Sequence, residues 1–310
     1  MTAQKKLLVT AAKNGLAVPC DVDATAFLLA YPRGAYTAAR TVHQTRIFDY
    51  EAHIRRLVDS TIEMQKEKQV LVRSLVETEL RPRTEATMIA AMEAFKNLYK
   101  VEEDQEYKIN VLVCPTEGDQ VDGEVVDQTD ILCHIGLLPP LRDEMVKLEV
   151  AGLPRHNAAV KDSAWVRERK AIYEKMAPDM EEVILMDPTT GHLLEGSQTN
   201  FYAILDGTLL TAETGILKGT VRSLVLDVCA KNGIPVELSP PTLDSVEKWQ
   251  GCFISSTSRL VLGAKVLKYE QPDTKAACTR EFAPLPHSGS NHDCCSQLGD
   301  QEKYTSVQVN

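Results

Sequence analysis

The chain lacks any long apolar run. No stretch of its 310 residues approaches the ~20 apolar residues that a membrane-spanning helix needs. The first residues, MTAQKKLLVTAAKNG, also lack the long apolar core and the cleavage site of a secretory signal. These absences argue against a membrane-spanning or secreted protein and favour a soluble protein of the cytoplasm.

Blocks of basic residues are missing as well. The chain has 34 Lys plus Arg against 44 Asp plus Glu, which gives a formal net charge of −10. Nucleic acids and anionic membranes attract clustered positive charge, so neither is expected as a partner. Any anion that this chain binds must therefore be met by a local group of donors.

No C-x-x-C pair occurs. The eight cysteines are scattered, and most lie inside apolar segments such as VLVCP and ILCHI. That distribution is typical of buried free thiols in a reducing compartment rather than of a disulfide framework. No metal site is predicted, and the adjacent Cys294 and Cys295 fall in a polar C-terminal segment.

The patterns that are present alternate between short strands, hairpins and helices, which predicts an α+β fold in two lobes. A hairpin is predicted from about Phe27 to Arg46, and a helix from about Thr84 to Tyr99. Further along, the segment GCFISSTSRLVLGAKVL is interpreted as one strand.

Composition suggests where the domains begin and end. We predict an N-terminal lobe in residues 1–138 and a C-terminal lobe in residues 139–270, with Pro139-Pro140 as the linker. Residues 271–310 contain few aliphatic and many polar side chains. Such a segment buries too little apolar surface to offset its ordering entropy, so a flexible polar tail is predicted.

One lysine stands in an unusual place. Lys161 follows the alternating pattern VKLEVAGL and precedes an amphipathic helix pattern. A lysine that attacks an aldehyde must be neutral, and both partial burial at a strand end and the positive end of a helix dipole disfavour its charge. Lys170, nine residues further on in the middle of that helix, is the rival candidate and ranks below Lys161.

A carboxylate and a possible anion site follow in the same stretch. Glu195 lies in LLEGSQTNFY, and a carboxylate beside a pyridine nitrogen keeps that nitrogen protonated. The turn LKGTVR opens a helix whose free N–H groups suit a phosphate. An amine, a carboxylate and an anion site are what a protein must supply to use pyridoxal 5′-phosphate, so this cofactor is predicted.

These motifs together resemble the fold-type IV pyridoxal-phosphate enzymes, or class IV aminotransferases. That group includes branched-chain and D-amino-acid aminotransferases and aminodeoxychorismate lyase. In chain order the matching pieces are GAYTAARTV, FDYEAHIRRL, Lys161 with its helix, EEVILMD, LLEGSQTNF, LKGTVR and CFISSTS. The resemblance covers roughly residues 32–267. It implies the two-lobed architecture of the D-amino-acid aminotransferases, with a small N-terminal α/β lobe and a larger C-terminal lobe, and a homodimeric assembly.

The resemblance also implies roles for the residues around the reacting atoms. Lys161 would form the Schiff base with the cofactor and move the proton. Glu195 would pair with the pyridine nitrogen. Tyr36, in the segment GAY, would line the substrate side of the site, with Arg40 further along the same strand.

The cofactor phosphate would be held by a second group of residues. Arg56, in the pattern H-I-x-R, would contribute its guanidinium, since arginine binds phosphates through two parallel hydrogen bonds. The backbone of Thr220 and Val221 and the hydroxyl groups of Ser256 and Thr257 would complete the set.

The substrate stays open at this point. Branched-chain enzymes carry a G-N-Y segment after the lysine, where this chain has DSAWV. D-amino-acid aminotransferases and the lyase tend to have an arginine after the strand that corresponds to INVLVCP, where this chain has PTEG. Arg40, Arg33 and Arg155 are the candidates for binding a substrate carboxylate.

Two activities are therefore carried forward. The first is an aminotransferase that passes an amino group from an amino acid to a 2-oxo acid, and the second is a lyase that releases pyruvate from aminodeoxychorismate. A third possibility is a catalytically idle protein on the same fold, which the retained Lys161 and Glu195 weigh against. The expected partners are amino acids and 2-oxo acids.

Overall fold

The computed structural model describes residues 7–66, 73–116, 129–271 and 274–284. Contacts divide these residues into two compact units. The first unit contains the described residues up to Pro140 together with Val160–Arg167. The second unit contains Leu141–Ala159 and the described residues from Glu168 onward.

The first unit is a sheet with helices. Its elements are β1 (Val9–Lys13), β2 (Leu16–Val18), α1 (Ala24–Ala30), β3 (Ala35–Val42), β4 (Arg46–Ile47), α2 (Tyr50–Gln65), α3 (Arg73–Leu98), β5 (Tyr107–Pro115) and β6 (Thr129–Leu137). The six strands are ordered β2-β1-β6-β5-β3-β4, and all their pairings are antiparallel.

Alternation along β5 explains how the sheet carries its helices. Ile109, Val111 and Val113 point to the face that packs against apolar side chains of α2 and α3. Leu112 and Cys114 point to the other face, where Phe27 and Leu28 of α1 cover part of the sheet. The sheet is thus buried on both faces over its central strands.

The segment around Lys161 belongs to the first unit by its hydrogen bonds. The Tyr36 N–H donates to the Lys161 carbonyl at 2.9 Å, and the Ser163 N–H donates to the Gly34 carbonyl at 3.0 Å. The sequence analysis assigned this segment to the C-terminal lobe, residues 139–270. The contacts join it instead to β3, from which it is separated by more than a hundred residues along the chain.

The second unit is built on a larger sheet. Its elements are β7 (Val146–Gly152), α4 (Ala164–Lys175), β8 (Glu182–Met186), β9 (Leu193–Gly196), β10 (Asn200–Leu205), β11 (Thr208–Leu210), α5 (Thr220–Lys231), β12 (Val236–Glu237), a 3₁₀ helix (Leu243–Lys248), β13 (Trp249–Ser256), β14 (Leu260–Glu270) and β15 (Ala277–Glu281). The first turn of α4 is grouped with the first unit.

Nine strands form this second sheet. They are ordered β12-β11-β10-β13-β14-β7-β8-β9, and β15 pairs with β14. The additional pairing of β10 with β9 closes six of the strands, β7, β8, β9, β10, β13 and β14, into a ring. Aliphatic and aromatic side chains from the ring, among them Phe201 and Trp249, form the core of this unit.

Three expectations from the sequence are corrected here. Phe27 lies in helix α1 rather than in a hairpin, because the Asp23 carboxylate caps that helix by accepting from the N–H groups of Thr25 and Ala26 at 2.8 Å each. The hairpin itself, β3 with β4, starts at Ala35. The segment interpreted as one strand from Gly251 is the hairpin of β13 and β14.

The third correction concerns the predicted tail of residues 271–310. Residues Ala277–Glu281 form β15 on the edge of β14, and Phe282 is buried with its N–H donating to the Lys265 carbonyl at 2.9 Å. Backbone pairing and one buried ring order this part despite its polar composition. The remainder of the predicted tail, residues 285–310, lies outside the described residues.

Within the described ranges, no helix combines the length and the hydropathy that crossing a membrane requires.

Candidate functional site

Lys161 is anchored through its backbone on both sides. Its carbonyl accepts from the Tyr36 N–H on β3, and its own N–H donates to the Ser60 hydroxyl on α2 at 3.1 Å. The side-chain ammonium lies over the ring of Tyr36, 4.7 Å from the ring centre. The structure therefore brings two sequence-predicted residues, Lys161 and Tyr36, into direct contact.

Arg56 lies one helical turn before Ser60 on α2, in a polar cluster with β3. Its Nη2 atom donates to the Thr37 hydroxyl at 2.7 Å and lies 3.1 Å from Nδ1 of His53. The Thr37 hydroxyl and His53 Nδ1 are 2.8 Å apart. Since His53 and Arg56 are three residues apart on one helix, they share a face, whereas Arg55 is exposed.

Arg56 forms no ion pair with any residue that the structure describes. No carboxylate lies within ion-pair distance of its guanidinium, and its Nε atom is buried without a hydrogen-bond partner. Burial lowers the pKa of Arg56 to about 10, although Tyr36 and Asp49 act in the opposite direction. A buried guanidinium of this kind is stabilised by an anion that supplies the missing partner.

His53 is buried and uncharged in the same cluster. Burial lowers its pKa well below the ordinary histidine value, and the positive charges of Arg56 and Lys161 lower it further. Arginine, lysine and neutral histidine together make a site for a negatively charged group.

Arg40 lies on β3 and on the same face as Tyr36. The two residues are four positions apart, which is about 13 Å along a strand. Its side chain is buried. Arg33, another candidate for a carboxylate site, is exposed and pairs with Asp162, its Nε atom 2.8 Å from the carboxylate.

Glu195 on β9 is held from two sides. One carboxylate oxygen accepts from Nε of Arg155 at 2.8 Å, and the other accepts from the Leu217 N–H at 3.0 Å. The side chains of Glu195 and Arg155 are only 6% and 7% exposed. Arg155, which the sequence offered as a candidate for a substrate carboxylate, therefore has a buried partner within its own unit.

The loop before α5 is clamped by one side chain. Asn200 on β10 donates from Nδ2 to the Leu217 carbonyl at 2.7 Å and accepts from the Gly219 N–H at 3.1 Å. A Cβ atom at Gly219 would collide with the Asn200 amide oxygen. The close approach of loop and side chain therefore requires glycine at this position.

Helix α5 begins without a side-chain cap. Gly219 occupies the N-cap position and offers no side-chain acceptor, so the first N–H groups, those of Thr220 and Val221, point out of the helix end. The Thr220 hydroxyl lies 3.1 Å from that of Thr257, beyond the end of β13. Ser256, next to it, accepts from the Arg259 N–H at 3.2 Å and so shapes the turn.

Each predicted site residue lies in one of the two units. The first unit contains Tyr36, Arg40, Arg56 and Lys161, and the second contains Glu195, Thr220, Val221, Ser256 and Thr257. Sequence reasoning missed His53, Thr37 and Asn200. The spacing H-x-x-R contained a signal for His53, because residues three apart on a helix are neighbours.

The described ranges contain no group of three or more His, Cys, Asp or Glu side chains that could hold a metal ion.

A family model for class IV amino-transferases matches residues 34–267 of this chain. Among curated proteins, the chain is 25% identical to a putative branched-chain-amino-acid aminotransferase of Methanocaldococcus jannaschii over 243 residues, 74% of this chain and 77% of that protein. It is 27% identical to the branched-chain-amino-acid aminotransferase of Pseudomonas aeruginosa over 120 residues, 36% of this chain and 39% of that protein. The match thus spans well under half of the Pseudomonas relative.

A shorter and closer match is found with the D-alanine aminotransferase of Listeria monocytogenes. The two are 42% identical over 66 residues, 21% of this chain and 23% of that protein. The names of these relatives specify different substrates, branched-chain amino acids in one case and D-alanine in the other.

Solved structures share the fold over nearly the whole chain. The branched-chain aminotransferase of Thermoproteus uzoniensis, crystallised with norvaline, has a TM-score of 0.67 and 18% identity, covering 97% of this chain and 99% of that one. An aminotransferase of Brucella abortus bound to pyridoxal phosphate has a TM-score of 0.63 and 16% identity, covering 94% and 97%. These similarities confirm the α+β fold in two lobes that the sequence predicts.

Proposed function

The chain belongs to the class IV aminotransferase family, and from that premise we propose that it transfers an amino group from an amino acid to a 2-oxo acid. The cofactor predicted from the sequence, pyridoxal 5′-phosphate, is the cofactor of this family. When bound, it supplies an electron sink for the bond that breaks at the substrate Cα.

One observation carries the proposal. In the first unit, the ammonium of Lys161 lies over Tyr36, and the half-buried Arg56, whose Nε atom is fully buried, forms no ion pair with a carboxylate in the described part of the chain. A phosphate monoester dianion is the kind of ligand that compensates such a cation. An amine beside an anion site fits pyridoxal phosphate, which has one aldehyde and one phosphate.

We assign the residues the following tasks. Lys161 would hold the cofactor through Nζ and would move the proton at the substrate Cα. Arg56 would bind the phosphate. In the second unit, the N–H groups of Thr220 and Val221 at the start of α5 remain phosphate donors by the resemblance alone.

The other cluster residues have tasks of their own. Glu195, paired with Arg155, would accept a hydrogen bond from the pyridine N–H of the cofactor. Ser256 and Thr257 would donate hydroxyl hydrogen bonds to the phosphate. Tyr36 and Arg40 would contribute to the substrate side.

Substitution of Lys161 tests the activity and the attachment together. Lys161→Ala should abolish the visible absorbance of the bound cofactor and its conversion by amino acids to the pyridoxamine form, because the covalent bond and the proton carrier are both removed. Absorbance spectra of the purified variant, titrated with single L- and D-amino acids, measure both effects. Lys170→Ala is the matched control, since Lys170 is exposed on α4.

The same titration separates the two chemistries. An aminotransferase converts the cofactor with a single amino acid and is restored by a 2-oxo acid, whereas a lyase releases pyruvate from aminodeoxychorismate without an acceptor. The aminotransferase assignment fails if no amino acid converts the cofactor while incubation with aminodeoxychorismate releases pyruvate. Preserved spectra in Lys161→Ala would remove Lys161 from its assigned role.

A homodimeric assembly and a cytoplasmic location remain predictions of the resemblance and of the sequence. The mass of the native protein in solution tests the first of them, and a fully active monomer at micromolar concentration would contradict it.

A further inference from the structure

The polar cluster of α2 and β3 contains a histidine to which no role has been assigned. His53 is 2% exposed, and its ring nitrogen Nδ1 lies 3.1 Å from Nη2 of Arg56 and 2.8 Å from the hydroxyl of Thr37. The same Nη2 donates to the Thr37 hydroxyl at 2.7 Å. Arginine, threonine and histidine thus form a closed triangle of polar contacts.

The direction of these contacts fixes the tautomer of the ring. A guanidinium can only donate, so Nδ1 of His53 faces Arg56 as an acceptor and carries no hydrogen. The Thr37 hydroxyl accepts from Arg56 and can turn its own hydrogen towards Nδ1. Since the ring is neutral, its single N–H hydrogen then resides on Nε2.

Arg56 needs such an acceptor more than an ordinary arginine does. Its side chain has several rotatable bonds, and ordering it costs roughly 2 kcal/mol of conformational entropy. No carboxylate in the described residues orients the guanidinium, as an ion pair would. Contacts with His53 and Thr37 therefore orient the guanidinium of Arg56. Neither contact adds a negative charge that would repel a phosphate.

We propose that His53 is a positioning residue for phosphate binding, which acts by accepting from Arg56 at Nδ1 and so holds the guanidinium ready for the cofactor phosphate. This inference rests on the proposed function, because it presumes pyridoxal phosphate as the ligand. A neutral acceptor suits the task, since a carboxylate in its place would neutralise the cation instead of leaving it free for the ligand.

Two substitutions distinguish the contribution of Nδ1 from that of Nε2. In His53→Asn, the amide oxygen can take the place of Nδ1, whereas in His53→Gln the amide reaches the place of Nε2 and leaves a methylene group beside Arg56. We expect His53→Asn to stay within a few-fold of the wild-type affinity for pyridoxal phosphate. His53→Gln should lose roughly tenfold to hundredfold, as expected for a lost hydrogen bond to a charged group.

The readout is the ratio of two dissociation constants, one for pyridoxal phosphate and one for pyridoxal, measured by fluorescence titration of cofactor-free full-length protein. Pyridoxal lacks the phosphate, so its binding should be the same in wild type and in His53→Gln. Arg56→Met sets the scale, because it should remove the preference for the phosphorylated ligand, while Arg55→Met should not. His134→Gln is the matched control, as His134 is equally buried but bonds to the Val22 carbonyl.

Each outcome decides something. Loss of phosphate preference in His53→Gln, with retention in His53→Asn, supports the proposal. Equal loss for both ligands would mean a purely structural role and overturns it, as would the reverse order of the two variants, which would assign the work to Nε2. If the wild-type protein bound pyridoxal phosphate no better than pyridoxal, the proposed function itself would fail.

A measurement on the wild-type protein covers the case in which the variants do not fold. Nitrogen NMR of histidine-labelled protein distinguishes a protonated from an unprotonated ring nitrogen. We expect Nδ1 of His53 to be unprotonated both with and without the cofactor. A hydrogen on Nδ1 would overturn the proposal, since that nitrogen could not then accept from Arg56.

Discussion

At the scale of single residues, the buried pair of Arg155 and Glu195 has the largest electrostatic consequence. Both side chains are almost fully buried and 2.8 Å apart. Removing one partner of such a pair leaves an uncompensated buried charge, which costs about 3–5 kcal/mol. We therefore expect Arg155→Met to lower the free energy of unfolding by about that amount and to reduce turnover as well, as Glu195 loses the group that orients it.

Urea unfolding of Arg155→Met, of Glu195→Gln and of the double variant measures this effect. If the pair is coupled, the double variant should be destabilised by less than the sum of the two single variants. Arg142→Met serves as the control, since Arg142 pairs with Glu181 at the surface of the same unit, where such a pair contributes at most about 1 kcal/mol. Additive single effects would contradict a coupled pair.

Residue identities were predictable where the sequence pattern carries chemistry. Lys161 stands out because a strand pattern ends and a helix pattern begins there, and the structure places it beside Tyr36. The pairing of Arg155 with Glu195 was not predictable, since forty positions separate them and no local pattern links the two. His53 was in reach of sequence reasoning but was passed over for its neighbour Arg56.

At the scale of elements, the start of α5 depends on a glycine with no room for a side chain. Gly219→Ala would push a Cβ atom into the Asn200 amide oxygen, which also holds the loop through the Leu217 carbonyl. Overpacking of this kind costs about 1–3 kcal/mol. We expect lower stability and weaker binding of pyridoxal phosphate, because the displaced helix start no longer presents its N–H groups in the same place.

Unfolding and cofactor titration of Gly219→Ala measure the two effects. Gly263→Ala is the control, since its Cβ would meet Met145 at an ordinary 3.7 Å. If the clash with Asn200 is the cause, adding Asn200→Ala should cost less in Gly219→Ala than in the wild type. Equal costs in both backgrounds would show that the amide oxygen is not the obstacle.

Elements were predictable where hydrophobic period and turn residues agree. The helix predicted from about Thr84 lies in α3, whereas the turn between β13 and β14 was missed because no glycine or proline marks it. Leu260 takes a left-handed conformation there, with φ of 55°, which a sequence pattern does not suggest for leucine. Helix α3 begins at Arg73 and continues through Pro82, a residue that normally ends a helix, so only its second half was predicted.

At the scale of the whole molecule, the domain boundaries were the hardest to predict. Residues Val160–Arg167 belong to the first unit, although the preceding residues Leu141–Ala159 belong to the second. The hydrogen bonds that cause this, such as that from the Lys161 N–H to Ser60, join residues about a hundred positions apart. Composition and hydrophobic period describe short segments of the chain, so neither predicts contacts between residues this far apart in sequence.

Stability as a function of pH is a property of the whole chain to which the two buried histidines contribute. Burial is the first cause that lowers the pKa of both His53 and His134, whereas in the unfolded chain histidine titrates near 6.5. As the pH falls below about 6.5, the unfolded chain takes up protons that the folded chain refuses, so folding is progressively weakened. The loss continues until the pH reaches the lowered pKa values of the folded state, and this contribution to stability is fully present above about pH 6.5.

Urea unfolding of cofactor-free protein between about pH 5 and 8 measures this effect. The free energy of unfolding should decline towards acid by up to about 1.4 kcal/mol per pH unit for each histidine. His53→Gln with His134→Gln should flatten this slope even if it lowers stability overall, and an unchanged slope would assign the acid sensitivity to other groups.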